Sequence, residues 1–258
     1  INFYGLPGLV DMPSAQALPD GETVLGLSHF GGITRLSLSA QILPRVSGTF
    51  RYTRFDDLNA FGFVDYYDRN FDLRVLLMRE GRYVPAITVG LQDFAGTGLQ
   101  SGEFVVATKT LAPGLTATAG LGWGRLGSYG DIGEFRPDTR IQPGEPTRGG
   151  TFEPSAWFGG PVAPFAGIEW RPADRLGLKL EYASDVYDFE AAQQGLFTHR
   201  SPWNFGIEYQ AMPNLRIGAY SLYGDTVGVN AVLSMNPRRP VTARRQAAPA
   251  PVPLRGPA

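Results

Sequence analysis

Apolar and polar side chains alternate along most of this sequence, and this alternation limits the fold more than any other feature. In residues 34–42 (TRLSLSAQI), 175–182 (RLGLKLEY) and 203–210 (WNFGIEYQ), every second residue is apolar. Successive side chains of a β-strand point to opposite faces, so a period of two predicts strands with one apolar face. The apolar runs fall short of the roughly 18 residues that a membrane helix requires, so we do not expect a helical membrane protein.

The connections between the alternating runs are of two kinds. Four are very short and carry a proline, whose fixed φ suits a turn: QILPRVSG, KTLAPGLT, EWRPADRL and YQAMPNLR. Four others are long: 56–69, 94–101, 127–161 and 186–200. Twelve strands put all the proline turns at one end and these long loops at the other, whereas a thirteenth at 59–67 scatters the turns over both ends. The predicted strands are 22–30, 33–43, 45–55, 70–80, 83–93, 102–111, 114–126, 162–171, 175–185, 201–211, 214–223 and 226–235.

An even number of strands of about ten residues, with short turns at one end and long loops at the other, is typical of outer-membrane β-barrels. Ten residues tilted near 45° cover roughly 23 Å, close to the apolar band of such barrels. The alternation also suits a soluble β-sandwich or a lipocalin-like barrel. The polar faces, however, are rich in Gly, Ser and Thr rather than in the Lys and Glu of a solvated surface. The sequence therefore predicts an all-β, transmembrane, antiparallel up-and-down barrel of about twelve strands.

Three regions are predicted: an irregular segment at 1–21, the barrel at 22–236, and a flexible tail at 237–258 that is rich in Pro, Ala and Arg. Both ends of the barrel fall on the side of the short turns, which is periplasmic in outer-membrane barrels. The first segment is too apolar for a solvated leader and too interrupted by Pro and Gly for a strand. We expect it to pack in or across the periplasmic mouth. The side chains expected to make its contacts are Phe3, Tyr4, Leu9, Val10 and Met12.

The longest connection, 127–161, contains Phe152, Trp157 and Phe158. Loops of this length are usually functional or disordered. Because aromatic side chains seldom remain bare, we expect this loop to fold into the barrel and narrow it.

Charged residues recur on the strand faces assigned to the lumen. The formal net charge of −1 implies no attraction to nucleic acid. Opposite charges in a narrow interior would either fill and rigidify the barrel as salt bridges, or line a polar conduit or a binding surface for a hydroxyl-rich polymer. The sequence leaves these interpretations open. The lumen-facing candidates are Arg35, Arg51, Arg74, Lys109, Glu169, Lys179, Glu181, Glu208 and Arg216.

Catalysis and metal binding have little support in the sequence. There is no cysteine, which removes disulfides and thiolate ligands. His29 and His199 lie beside serines, the residue pair of membrane-embedded acyl hydrolases, but no oxyanion hole or nucleophile elbow accompanies them. The aspartates of residues 56–68 lack the spacing of a calcium loop. We therefore predict no enzymatic activity, no metal site and no cofactor.

The N-terminal stretch GLPGLVDMPSAQALPDGE, residues 5–22, resembles the start of the YjbH family. The similarity is a short G-x-x-G-L-x-x-x-P-S-A signature just before the first predicted strand. The resemblance implies an outer-membrane β-barrel associated with exopolysaccharide production, from a family also represented in group 4 capsule operons, and it implies no catalytic residue. The signature residues are Gly5, Gly8, Leu9, Pro13, Ser14 and Ala15.

The resulting hypothesis is a barrel in the outer membrane of a Gram-negative bacterium, its secretion signal already removed, that assists the export or surface assembly of an exopolysaccharide. One alternative is a structural barrel that docks onto another membrane protein complex, and another is a simple diffusion channel. The expected partners are the lipid bilayer, a polysaccharide, and another outer-membrane or periplasmic protein.

Overall fold

The computed structural model describes residues 1–56, 65–140, 152 and 154–237. In these ranges twelve antiparallel strands form a closed barrel in which each strand pairs with its neighbours in sequence, and β1 pairs with β12. This is the predicted up-and-down topology. The strands are β1 (Thr23–Phe30), β2 (Ile33–Leu43), β3 (Val46–Phe55), β4 (Tyr66–Met78), β5 (Ala86–Gln92), β6 (Gly102–Ala112), β7 (Leu115–Gly124), β8 (Val162–Ala173), β9 (Leu176–Tyr182), β10 (Trp203–Met212), β11 (Leu215–Leu222) and β12 (Thr226–Met235).

Four two-residue turns lie at the same end of the barrel, which we call the turn end: 44–45, 113–114, 174–175 and 213–214. A register shift precedes each turn, for example between Gln41 and Leu43. Such bulges are common at barrel rims, where they increase the local twist and end the pairing. The first residue of β1, Thr23, pairs with the last residue of β12, Met235, so the barrel begins and ends here. The opposite end is the loop end.

Three strand boundaries differ from the sequence prediction by three residues or more, one of them the start of β5, at Ala86 rather than 83. β4 begins at Tyr66 rather than 70, because Tyr66 pairs with Phe55 and the pairing continues without a break. β9 ends at Tyr182 rather than 185, since the chain turns inward there and Asp185 is buried against the guanidinium of Arg125, with Oδ2 to Nε at 2.5 Å.

The wall of the barrel is apolar outside and polar inside. On β2, Leu36 and Leu38 are 46% and 47% exposed, whereas Arg35 and Ser37 beside them are buried. This polarity suits a wall that faces lipid, and it confirms a transmembrane barrel of the outer-membrane type. In the described ranges no helix is long and apolar enough to cross a membrane. The large apolar residues exposed on the wall also include Leu25, Leu27, Phe50, Phe71, Leu121, Ile168, Trp170, Phe205, Ile207, Ile217 and Val229.

The connection between β9 and β10, residues 183–202, covers the loop end. Its residues Tyr187 and Phe197 pack edge-to-face with each other and with Phe30 of the wall, with ring centroids 5.5–5.6 Å apart. Edge-to-face aromatic pairs add about 0.5–1.5 kcal/mol each to simple burial. The lumen is therefore closed at this end by a packed aromatic cluster.

The connection between β7 and β8 does not behave as predicted in its described part. Instead of entering the lumen, it packs on the outer side of the wall: the Phe158 ring lies 5.2 Å from Trp123, and Arg140 forms an ion pair with Glu103. Glu103 faces outward because its neighbour Phe104 faces inward, against Gly90. Residues 141–151 and 153 of this loop, and 238–258 of the predicted tail, lie outside the described residues.

Candidate functional site

Residues 2–16 lie inside the barrel and fill its lumen, and we call them the plug. The five apolar side chains expected to make its contacts are each at most 2% exposed. The Phe3 ring lies 5.2 Å from Phe30 near the loop end, and the Tyr4 hydroxyl donates to Asp185 at 3.2 Å. The plug therefore lies deeper than the periplasmic mouth where the sequence analysis placed it, and it reaches the connection that covers the loop end.

Prolines and glycines let the plug fold into compact turns without regular secondary structure. The Asn2 side chain organises the first turn: Oδ1 accepts two backbone N–H groups at 3.0 and 2.9 Å, and Nδ2 donates to the Asp11 carbonyl at 2.7 Å. A single β-bridge joins Gly8 to Pro13. These internal bonds satisfy backbone groups that would otherwise be costly to bury.

The YjbH-like signature corresponds to the plug itself. Gly5 has φ +81°, and a Cβ atom there would overlap the side chain of Ser37. Ala15 sits between two wall threonines, with its N–H donating to Thr108 at 2.8 Å and its carbonyl accepting from Thr88 at 2.9 Å. The signature thus supplies the small residues and turns that let the chain approach the wall closely.

Replacing Gly5 with alanine is expected to loosen the plug. The new methyl would overlap Ser37 in a backbone conformation that disfavours side chains, which we expect to cost on the order of 2–4 kcal/mol. Limited proteolysis of the plug in purified protein would measure the effect. Gly32→Ala, at φ +72° with its nearest neighbour 3.7 Å from the added atom, isolates the backbone cost. Adding Ser37→Gly should restore much of the closure, and failure of this rescue would contradict the steric explanation.

Basic side chains of the wall donate to backbone carbonyls of the plug. Arg51 donates to the Tyr4 carbonyl at 3.0 Å, and Lys179 donates to that of Leu9 at 2.9 Å. Arg74 donates to two carbonyls near the end of the plug. Because these contacts are to the main chain, they recognise the path of the plug more than its side chains.

One acidic side chain of the wall accepts hydrogen bonds from backbone N–H groups of the plug. The carboxylate of Glu181 on β9 accepts three consecutive backbone N–H groups, from Val10 at 2.8 Å and from Asp11 and Met12 at 2.9 Å. It also accepts from Asn204 on β10 at 2.8 Å. Consecutive N–H groups that converge on one anion form a nest, and charge-assisted bonds of this kind are the strong ones. Glu181 is therefore the principal acidic contact of the plug.

The remaining acidic and basic candidates on these strands form a network towards the turn end. Lys179 pairs with Glu208 at 2.8 Å and lies 3.9 Å from Glu169, and Arg216 lies 3.6 Å from Glu208. Arg35, higher in the lumen, places its guanidinium carbon 4.2 Å from the ring centre of the plug's tyrosine. The structure thus brings eight of the nine candidates to the lumen.

Lys109 is the exception and lies on the outer face. On β6, Phe104 and Thr108 point into the barrel, so Lys109 points outward, where its Nζ pairs with Glu80 at 2.7 Å. Residues 104–107 are all apolar, so no alternation distinguishes the two faces of this strand in the sequence.

Sequence reasoning missed the residues that connect the plug to the loop end. Asp11 Oδ2 accepts from the hydroxyls of Tyr187 at 2.7 Å and Tyr223 at 2.6 Å. Burial, with Asp11 nearby, raises the pKa of Asp185 to about 6, while the Arg125 guanidinium opposes this rise. These partners come from separate loops, and no local pattern marks them in the sequence.

The histidines do not form a hydrolase pair with the serines beside them. Ser28 faces the lumen and donates to the Phe3 carbonyl at 3.0 Å, whereas His29 faces outward and shares a hydrogen bond with Thr34 at 2.9 Å. His199 lies in the loop-end connection, where its ring packs 4.8 Å from a tyrosine ring.

The acidic residues between β3 and β4 do not converge either. Asp56 and Asp65 each pair with Arg54, at 3.0 and 3.2 Å, while Asp68 is buried in the lumen. Asp57 lies outside the described residues. In the part of the chain that the structure describes, no three His, Cys, Asp or Glu side chains form a group that could hold a metal ion.

Solved structures with a similar fold are outer-membrane proteins. The KdgM porin is 9% identical, with 83% of this chain and 99% of that one covered and a TM-score of 0.44. The COG4313 outer membrane channel from Pseudomonas putida F1 is 10% identical, with 88% and 100% covered and a TM-score of 0.46. The outer membrane phospholipase (OMPLA) of Salmonella typhi is 8% identical, with 86% and 94% covered and a TM-score of 0.36. All three similarities are distant.

Sequence similarity is more specific. The family model described as "Exopolysaccharide biosynthesis protein YbjH" matches residues 1–258. The "Uncharacterized lipoprotein YjbH" of Escherichia coli strain K12 is 31% identical over 256 residues, which cover 92% of this chain and 35% of that protein. This chain therefore spans about a third of the length of that relative. With its signature folded as the plug of a transmembrane barrel, the chain belongs to the YjbH family.

Proposed function

We propose that this barrel assists the export or surface assembly of an exopolysaccharide across the outer membrane of a Gram-negative bacterium. The observation that carries the proposal is the match of residues 1–258 to a family described by exopolysaccharide biosynthesis. A transmembrane barrel with a polar interior suits a polymer rich in hydroxyl groups. The role requires no bond to be made or broken by the barrel, and we propose none.

The occupied lumen favours a gated barrel over a simple diffusion channel. A cavity of about 590 Å³ at the turn end is bounded by Ala15 and Gln16, so the plug lies between this cavity and the rest of the lumen. The contacts between the plug and the wall include many hydrogen bonds to its backbone, which water or sugar hydroxyls can replace. We therefore propose that the plug closes the barrel at rest and moves when polymer passes.

Locking the plug in place is expected to abolish this activity. Ala15→Cys and Thr108→Cys would bring two thiols together, since the Ala15 N–H lies 2.8 Å from the Thr108 hydroxyl. The chain has no other cysteine, and the periplasm favours disulfides. We expect cells with this double variant to lose surface polysaccharide to the level of a gene deletion, and a mild reductant to restore it.

Each single cysteine variant is the control, because it changes the same side chain without forming the crosslink. Quantitative disulfide formation together with normal surface polysaccharide would argue against a moving plug. If the deletion lowers polysaccharide while the locked barrel does not, the barrel acts as a docking scaffold for another membrane protein. If the deletion leaves polysaccharide unchanged, the proposed function is wrong.

A further inference from the structure

Three buried arginines follow one another on neighbouring strands of the lumen: Arg35 on β2, Arg51 on β3 and Arg74 on β4. They are 1%, 0% and 3% exposed. Arg51 is level with Ser37, two residues from Arg35, and Arg74 is level with Ser47 of β3. Ser47 in turn pairs with Gln41, so the backbone positions of the three arginines span six residues of β2, or roughly 20 Å along the strand. We call this row the arginine track.

Among the described residues, two of the three arginines of the track form no ion pair with an acidic side chain, the usual partner of a buried guanidinium group. Arg51 pairs with Asp72 at 2.6 Å. Arg74 donates to plug carbonyls, and Arg35 donates to the Tyr187 hydroxyl at 3.2 Å while it stacks on the plug's tyrosine. Nε and Nη1 of both Arg35 and Arg74 are buried and have no hydrogen-bond partner in the part of the chain that the structure describes. Two positive charges are thus held in the lumen by neutral groups of the plug and of the loop-end connection.

Neutral carbonyls and aromatic faces are weak partners for a guanidinium group. Its planar donors match a carboxylate or phosphate in two parallel bonds, and such pairs are roughly twice as strong as neutral ones. When the plug leaves, Arg35 loses the nearest of the three aromatic rings around its guanidinium group, and Arg74 loses its carbonyl acceptors. Both side chains then face an open lumen with most of their donors free.

We propose that the arginine track binds the acidic sugar units of an anionic polysaccharide, and that the plug carbonyls occupy the positions of these acid groups while the barrel is closed. This inference rests on the proposed function and specifies the class of polymer. On the opposite wall, departure of the plug frees the carboxylate of Glu181, which repels an anionic chain and accepts hydrogen bonds from sugar hydroxyls. The two walls together hold an acidic polymer along β2–β4.

Blocking of ion current by short sugars tests this proposal. The full chain carrying Glu181→Ala, to release the plug, would be placed in a planar bilayer with a hexamer of mannuronic acid or with neutral maltohexaose. We expect the acidic hexamer to block at least about tenfold more often than the neutral one. Arg35→Gln with Arg74→Gln should remove this preference, whereas Lys109→Gln on the outer face should leave it unchanged.

A second measurement does not require a variant whose barrel is open. In the full chain carrying Ala15→Cys and Thr108→Cys, the acidic hexamer should compete with the plug and slow disulfide formation several-fold, whereas maltohexaose should not. Equal effects of the two hexamers, or an acidic preference that survives Arg35→Gln with Arg74→Gln, would overturn the proposal. If the Glu181→Ala variant carries no current, the competition between the acidic hexamer and disulfide formation tests the proposal by itself. If the gene deletion lowers surface polysaccharide but neither assay shows a preference for the acidic hexamer, only the role of the arginine track is contradicted. If the gene deletion leaves surface polysaccharide unchanged, the proposed function itself is contradicted.

Discussion

Removing residues 2–16 is expected to turn a closed barrel into an ion-conducting one. The plug fills the lumen up to the aromatic cluster at the loop end, and this cluster is itself held by the plug: Phe3 packs on Phe30, and Asp11 accepts from the hydroxyls of Tyr187 and Tyr223. Without the plug the cluster loses these contacts, and the wall left behind is polar and readily hydrated. Barrel diameter grows with strand number, so twelve strands enclose more space than the eight whose interior side chains alone can fill, and we expect water and ions to occupy it. In planar bilayers we expect discrete steps of current, at least about tenfold above the basal level of the intact chain.

The control for this deletion is the heat-dependent change in gel mobility that a folded barrel shows. It is needed because a misfolded variant would also differ from the intact chain in its current. A shifted, folded variant without added current would contradict the plug as the barrier to ions. In that case the loop-end connection, residues 183–202, would be the barrier, and deleting it as well should then open the barrel.

Replacing Glu181 with alanine is expected to release the plug more than any other single change in the wall. The substitution leaves three consecutive N–H groups without their acceptor, and each bond to a charged group contributes about 1.5–3 kcal/mol. Because the three share one carboxylate, a combined loss on the order of 4 kcal/mol is reasonable, or roughly a thousandfold in the ratio of open to closed barrels. Channel open probability and protease sensitivity of the plug would both report this change.

Glu169→Ala is the matched control for Glu181→Ala. Glu169 lies on the adjacent strand β8 and contacts Arg171 at 2.7 Å and Lys179 at 3.9 Å rather than the backbone of the plug. We expect it to change the open probability little. Equal effects of the two substitutions on open probability would show that any acidic charge in the lumen holds the plug. The specific bonds between Glu181 and the N–H groups of residues 10–12 would then not be the cause.

The barrel could be predicted from the sequence because its signals are local. Alternation along each strand and proline in each short turn depend on residues close together in the chain, so the strand count, the topology and the two ends all followed. Where alternation is missing, as in the apolar residues 104–107, the assignment of faces was wrong for Lys109.

The site was harder to predict because its contacts are distant in sequence. The apolar residues of the plug indicated packing against the barrel, but its depth depends on partners such as Glu181, about 170 residues away, and on Tyr223, 212 residues from Asp11. Nothing in residues 2–16 specifies these partners. The YjbH-like signature pointed to the right segment without revealing that it folds inside the lumen.

The position of the plug in the chain also bears on how the barrel is assembled. A wall that is polar on its inner side offers little for a folding chain to collapse upon. Here the plug directly precedes β1, the strand that joins β12 where the sheet closes. The same chain thus supplies both the wall and the apolar centre around which the twelve strands close.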